Sequence, residues 1–251
     1  MKFIESKQNP QVKEWKKLHA KKGRRKSGTF LIEGLHLIEE AVKSGVFITQ
    51  WIFDERTWDI PPEWEIPEHA HYVVTARVMK ELSEMETPPG AMAVCKQPEN
   101  RFREDRKGRF LLIDAVQDPG NLGTLIRTAD AAGLDGVVLG QGCVDPYNGK
   151  VLRATQGSLF HLPVVEGDLA EWIARFKEQE IRVFGTSLDG GISYREIECP
   201  ESFALIVGNE GSGVDPAILA ETDENLYVPI FGRAESLNVS IAAGILLYGL
   251  K

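Results

Sequence analysis

"FLLIDAVQDPGNLGTLIRTADAAGLDGVVLG", Phe110 to Gly140, sets the architecture of the chain. It opens on an unbroken apolar run and closes on another, "GVVLG". Strands that are hydrophobic on both faces belong to parallel sheets covered by helices on either side. Between the runs, Pro119 and Gly120 make a turn, and Asn121 is read as the N-cap of the following helix. Leu122, Leu125, Ile126, Ala129 and Ala132 form its inward stripe, and Gly133 stops it. Gly123, Thr124 and Arg127 share another face, a small pair with one cation beside it. A single arginine there also has an ordinary reading, a side chain reaching along the surface to a partner.

The alternation continues to the end of the chain. Strand-like "LPVVE", "IRVFGTS", "FALIVG" and "NLYVPI" are interleaved with helical runs near 148–156, 168–178, 216–221 and 237–250. This predicts an α/β fold built on a parallel sheet, with ligands beyond the carboxyl ends of its strands. Ahead of it lies a smaller α/β pattern, with a helix after Glu33 and strands at "ITQWIF", "HYVVTA" and "AMAVCK". The charged stretch "KQPENRFREDRKGR" separates the two, so the expected domains are 1–95 and 110–251 with a linker at 96–109.

No apolar run approaches the ~20 residues that span a bilayer. The amino terminus has no apolar signal core, and the three cysteines are scattered without a CxxC pair. A reduced cytoplasm and no structural metal are the expectation. The net charge is -8, yet residues 1–28 hold ten Lys/Arg against two Asp/Glu, a local +8 that leaves -16 elsewhere. Lys13, Lys17, Lys21, Lys22, Arg24, Arg25 and Lys26 make this a candidate polyanion contact, with Trp15 as a stacking surface. The competing reading is a solvated helix face.

Two further loops carry polar groups. "NEGSGVDP" after "FALIVG" brings Gly208, Asn209, Glu210, Gly211, Ser212 and Gly213 to a strand end without a GK[ST] phosphate cradle. A buried Glu210 there suits a cationic or hydrogen-bond-donating ligand, and an ordinary glycine turn is the alternative. "VPIFGRAESLNVSIAAGILLY", Val228 to Tyr248, ends in a helix with almost no polar side, which should be buried all round. Ser236 is read as its cap. Asn238 then lies just inside the buried helix, where an unpaired amide costs ~1–3 kcal/mol, so it needs a fixed partner or a ligand. Three strand ends thus offer Asn, Arg, Glu, Ser and Asn without His, Cys or Lys. That set positions substrates and provides neither a covalent nucleophile nor a metal site.

In order and spacing, "NLGTLIRTADAAG", "IVGNEGSGV" and "VPIFGRAESLNVSIAAGILLY" resemble the three motifs of the SpoU/TrmH family of RNA ribose 2′-O-methyltransferases. "LRATQGSLFHLPV" also resembles the family's segment there, and "NPQVKEWKKLHAKKGRRKSGTFLIEGLHLIEEAV" is similar to its amino-terminal substrate-binding domain. The resemblance implies a deep trefoil knot, S-adenosylmethionine held within it, an RNA substrate and a homodimer that completes the site. By motif position it implies catalytic roles for Asn121, Arg127, Glu210, Ser236 and Asn238, and cofactor contacts at Gly208, Val228, Ile230 and Leu237. Lys13, Lys17, Lys21, Lys22, Arg24, Arg25 and Lys26 then meet RNA phosphates. Guanidinium is effectively never deprotonated, so Arg127 suits alkoxide stabilisation better than proton abstraction. Ribosomal RNA is the first expectation for the substrate; transfer RNA, or a non-catalytic RNA-binding role on the same fold, are the alternatives. The chain stops three residues past Tyr248, a shorter tail than the resemblance leads one to expect. A dinucleotide-dependent oxidoreductase is disfavoured because the first strand lacks a GxGxxG turn.

Overall fold

The computed structural model describes residues 1–57, 61, 63–99, 102, 107–198 and 200–250. The chain forms two compact units, Met1–Glu99 with Tyr147–Phe160, and Asn100–Pro146 with His161–Lys251. The stretch expected to be a linker falls partly outside the described residues, but its Phe102 is 9% exposed in the core of the second unit.

In the first unit the elements are β1 (Lys2–Ile4), α1 (Pro10–Lys17), α2 (Lys21–Ser27), β2 (Thr29–Glu33), α3 (Leu35–Lys43), β3 (Ile48–Asp54), β4 (His71–Val74), α4 (Ala76–Leu82) and β5 (Ala91–Lys96). The sheet runs β1-β4-β3-β5-β2, with β5 antiparallel to both neighbours and the remaining pairs parallel. Asn9 caps α1 through the Gln11 amide, and Pro10 occupies the first helical position, where no N–H is missed. Val12, Trp15 and Leu18 recur at helical spacing and enter one core with Ile52, Tyr72 and Met79.

That packing corrects two sequence expectations. Trp15 is no stacking surface: it lies in the core, edge-on to Tyr72 at 5.2 Å, with its indole N–H donating to Gln50. Arg24 is 2% exposed, and its guanidinium donates to the carbonyl oxygens of Leu18 and His19 at 2.7 and 2.8 Å. It closes the α1–α2 turn by satisfying carbonyls that the end of α1 leaves open. Lys13, Lys22, Arg25 and Lys26 are exposed, Lys21 is half-buried, and Lys17 is exposed but ion-paired to Glu14 at 2.6 Å.

The second unit carries β6 (Arg109–Ile113), α5 (Pro119–Ala131), β7 (Gly136–Leu139), β8 (Val164–Glu166), α7 (Leu169–Glu178), β9 (Arg182–Thr186), β10 (Ile192–Ser193), β11 (Phe203–Val207), α8 (Pro216–Ala220), β12 (Glu224–Tyr227) and α9 (Val239–Gly249). Between β7 and β8, α6 (Gly149–Thr155) lies within the chain segment that belongs to the first unit. There Phe30 of β2 is fully buried, with Tyr147 at 4.7 Å and Phe160 at 6.3 Å between ring centroids.

Seven strands form the second sheet in the order β10-β12-β9-β11-β6-β7-β8, every pair parallel. Phe110, Leu112, Ala204 and Ile206 pack with Trp172, Ile173 and Phe176 of α7 on one face. Ile218 and Leu219 of α8 join that same face. α5 packs against α9 and β7. Chain connections therefore leave β6 and β11, which are neighbours, in opposite directions along the sheet. A crevice opens at such a switch point, beyond the strands' carboxyl ends.

The last helix departs from its sequence expectation. Ala243, Leu246 and Leu247 are buried, but Ile241 and Tyr248 are each 56% exposed. Among the described residues α9 packs against α5, β11 and the turn Tyr194–Glu196, and the side carrying Ile241 and Tyr248 is left exposed.

A candidate active site at the carboxyl ends of the second sheet

The site forms where the loops after β6 and β11 meet the head of α9. The cap of α5 lies three residues before the Asn121 expected in that role: Asp118 is the N-cap, accepting from the Asn121 amide at 2.8 Å, and Pro119 is the first helical residue. Asn121 is thereby lifted inside the first turn with its side chain free to bridge. Its Nδ2 donates to Glu210 at 3.1 Å, and its Oδ1 accepts from Asn238 Nδ2 at 2.9 Å. Ser240, buried at 5% exposure, donates its hydroxyl to the Asn121 carbonyl at 3.1 Å.

Asn238, not Ser236, caps α9, accepting from the amides of Ser240 and Ile241 at 2.9 and 3.4 Å. The requirement that Asn238 have a fixed partner is met twice, by the helix end and by Asn121. Ser236 is exposed and makes no hydrogen bond among the described residues. Glu210 is likewise exposed rather than buried. Its oxygens accept from Gln117 N at 3.3 Å, Asp118 N at 3.0 Å, Asn121 and, at 3.4 Å, Asn209 Nδ2. Partial burial pushes its pKa up, but the hydrogen bonds from Asn121 and from the backbone outweigh that and hold it below the ordinary value.

Gly208 is buried, and a Cβ there would lie 2.1 Å from Gly213 C and Val214 N. The close approach that requires glycine is made by the chain's own loop, which Asn209 and Gly213 close through reciprocal backbone hydrogen bonds of 2.9 and 3.0 Å. Sequence reasoning placed Asn209 in this loop but gave it no role of its own. Its Oδ1 accepts from the amides of Gly211 and Ser212, and its Nδ2 donates to Ala115 O at 2.8 Å. Ala115 itself stands at φ 52°, an uncommon left-handed conformation for alanine of the kind that collects at functional sites.

Two further features complete the geometry. Arg127 is exposed on α5 with Gly120 and Thr124 along one face, and its guanidinium has no partner among the described residues. From Val228 to Leu237 the main chain makes no hydrogen bond to the rest of the chain among the described residues. Val228, Pro229 and Ile230 in that stretch are half-buried. Partly buried N–H and C=O groups take their partners from solvent or from a bound ligand. Among the described residues no cluster of three His, Cys, Asp or Glu could hold a metal.

Fixed amides, a carboxylate held by donors and a guanidinium without a partner among the described residues, at a switch point of a parallel sheet, are groups that position a ligand. The chain belongs to the SpoU rRNA Methylase family, whose model matches residues 108–248. Residues 9–93 match the MRM3-like substrate binding domain. The chain is 54% identical over 251 residues, the whole of both chains, to the 23S rRNA (guanosine(2553)-2′-O)-methyltransferase RlmP of Bacillus subtilis. The AdoMet-bound rRNA methyltransferase of Sinorhizobium meliloti superposes with a TM-score of 0.89 at 31% identity, covering 99% of this chain and 97% of that one. The SpoU methyltransferase AviRb of Streptomyces viridochromogenes, in complex with AdoMet, gives 0.85 at 27% identity, with 97% of both chains covered.

Proposed function

We propose that this chain transfers the methyl group of S-adenosylmethionine to a ribose 2′-hydroxyl of ribosomal RNA. The observation that carries the reading is the hydrogen-bonded line Glu210–Asn121–Asn238, which ties three separate strand-end loops into one rigid site. When bound, the cofactor supplies a methyl group on a sulfonium centre. The main chain of Val228–Leu237, without partners among the described residues, fits its polar groups, and Gly208, Val228, Ile230 and Leu237 contact it. Arg127 stabilises the alkoxide that develops as the 2′-oxygen attacks, and clamps the neighbouring phosphate through its planar fork. The oxygen–methyl bond forms as the sulfur–methyl bond breaks, and the hydroxyl proton passes to solvent. Asn121 and Asn238 orient the ribose, and Glu210 keeps Asn121 and the 117–118 turn in place. Ser236, exposed in the same loop, faces the incoming RNA.

Three parts of the reading concern the protein around the site. The amino-terminal unit grips RNA through Lys13, Lys17, Lys21, Lys22, Arg25 and Lys26, at residues within the match to a substrate-binding domain. A homodimer covers the apolar side of α9 on which Ile241 and Tyr248 lie exposed. The segment from Val228 into α9 is threaded as a trefoil knot, supported by its return from β12 to Asn121 beside β6. The cytoplasm, where ribosomal RNA is made, is the matching compartment for a protein with no described helix long and apolar enough to cross a membrane.

Labelled methyl transfer from S-adenosylmethionine to ribosomal and transfer RNA, followed by mapping of the modified ribose, tests the reading. A single 2′-O-methylated nucleotide in ribosomal RNA is expected. Label only in transfer RNA would shift the substrate class, and no label in either would leave an RNA-binding protein on this fold.

A further inference from the structure

The first unit holds a cavity of about 340 Å³ beside its basic helices, lined in part by Trp15, Lys17, Lys26, Thr29, Thr49 and Gln50. Its volume falls at the lower end of the roughly 300–1,000 Å³ of small-molecule sites. The strand that builds its floor is irregular there. Register passes from Ile48 opposite Cys95 to Gln50 opposite Val94, leaving Thr49 as the extra residue of a bulge. Adjacent residues of a regular strand point to opposite faces. The bulge re-aims them, so that Thr49 and Gln50 both line the cavity.

The polar groups are poised asymmetrically. Gln50 Oε1 accepts from the Trp15 indole N–H and from Gln11 Nε2 at 3.3 Å. An indole nitrogen only donates, so the atom facing it must be the oxygen, and the amide orientation is fixed. The Gln50 NH₂ is left with no acceptor among the described residues. Thr49 spends its proton on Val94 O at 3.0 Å and keeps its oxygen as an acceptor. Lys26, also lining the cavity, is exposed and without an ion pair among the described residues. An amide donor, a hydroxyl acceptor and a cation without an ion pair among the described residues together match the edge and the phosphate of one nucleotide.

We infer that this cavity is a subsite for a single unstacked RNA nucleotide, its base edge read by Gln50 and Thr49 and its phosphate held by Lys26. The inference rests on the reading of the chain as an RNA-acting enzyme. It adds recognition of a base to an arm that would otherwise grip phosphates alone, which position RNA without reading it.

Binding of transcribed 23S ribosomal RNA to the full chain tests it, with Gln50→Glu compared against Lys22→Gln. Both variants change the charge by the same amount. Gln50→Glu keeps an oxygen for Trp15 and Gln11 but replaces the free donor with an acceptor. At least tenfold weaker binding than Lys22→Gln is expected, with the gap persisting between about 50 mM and about 200 mM salt. Thr49→Val, which leaves the charge alone, should weaken binding about threefold and guards against a folding defect in the first variant. Equal losses that shrink together with salt would mean charge alone and overturn the subsite, as would unchanged binding by Thr49→Val. A wild-type chain that binds no RNA would overturn the enzyme reading along with it.

Discussion

At Glu210, donors from Gln117, Asp118, Asn121 and Asn209 converge on one carboxylate. Because its folded pKa is depressed, the folded state holds fewer protons than the unfolded chain in the acid window. The stability it contributes is complete above the ordinary value of 4.5 and is lost as pH falls through the lower folded value. Glu210→Gln should therefore lower stability by about 1 kcal/mol at neutral pH, after allowance for solvent screening. Thermal melts should show that gap closing as pH falls below the ordinary value of 4.5; a gap constant with pH would remove the carboxylate's charge from the account. Arg127→Ala should reduce methyl transfer at least about a hundredfold while leaving cofactor affinity within twofold. Arg127→Lys should fare little better, since an ammonium does not reproduce a two-pronged planar contact. Near wild-type turnover in the lysine variant would make Arg127 a simple point charge. The residue types of this site were legible in the sequence, because polar groups at strand ends stand out against apolar runs. Their pairing was not: the bonds join residues 89 and 117 positions apart, and no local pattern encodes such distances.

Elements were readable wherever one period dominates. The runs at Phe110, Gly136, Phe203 and Leu226 became strands, as their shortness and their flanking turn residues favour over a buried helix. Helix starts were harder. In α5 both Asp118 and Asn121 are competent caps, and only the placement of Pro119 at the first helical position selects Asp118. In α9 the competition lay between Ser236 and Asn238, and the contact to Asn121 decides it. That helix also misled on burial, since composition reports an apolar surface without saying whose chain covers it. The dimer reading makes a direct prediction here. Ile241→Lys should convert the assembly to monomers in analytical ultracentrifugation, with α9 still helical by circular dichroism. If the wild-type chain sediments as a monomer, the exposed side of α9 has some other cover.

At the scale of the molecule, the linear division into an early and a late half does not describe the first unit. Residues Tyr147–Phe160 complete it by covering Phe30 on β2, the last strand in its sheet. A fragment ending at Glu99 should lose most of the stabilisation of that side chain, about 1.5–3 kcal/mol. Faster amide exchange along β2 is the expected readout, slowed again by adding a peptide of residues 147–160. Exchange indifferent to the peptide would mean that β2 closes its own face. Sequence periodicity finds α6 readily as a helix, yet carries no information on which sheet it will cover.

The same detour constrains how the protein is made. Synthesis delivers the chain from its amino terminus at roughly 5–20 residues per second, so the strands of the first unit emerge roughly 3–12 s before the helix that covers β2. Through that interval Phe30 is bare on an edge strand, the kind of surface on which nascent chains pair wrongly. Whatever part of the first unit folds during translation therefore does so with β2 uncovered. The first unit matures only after β6, α5 and β7 of the second have already left the ribosome.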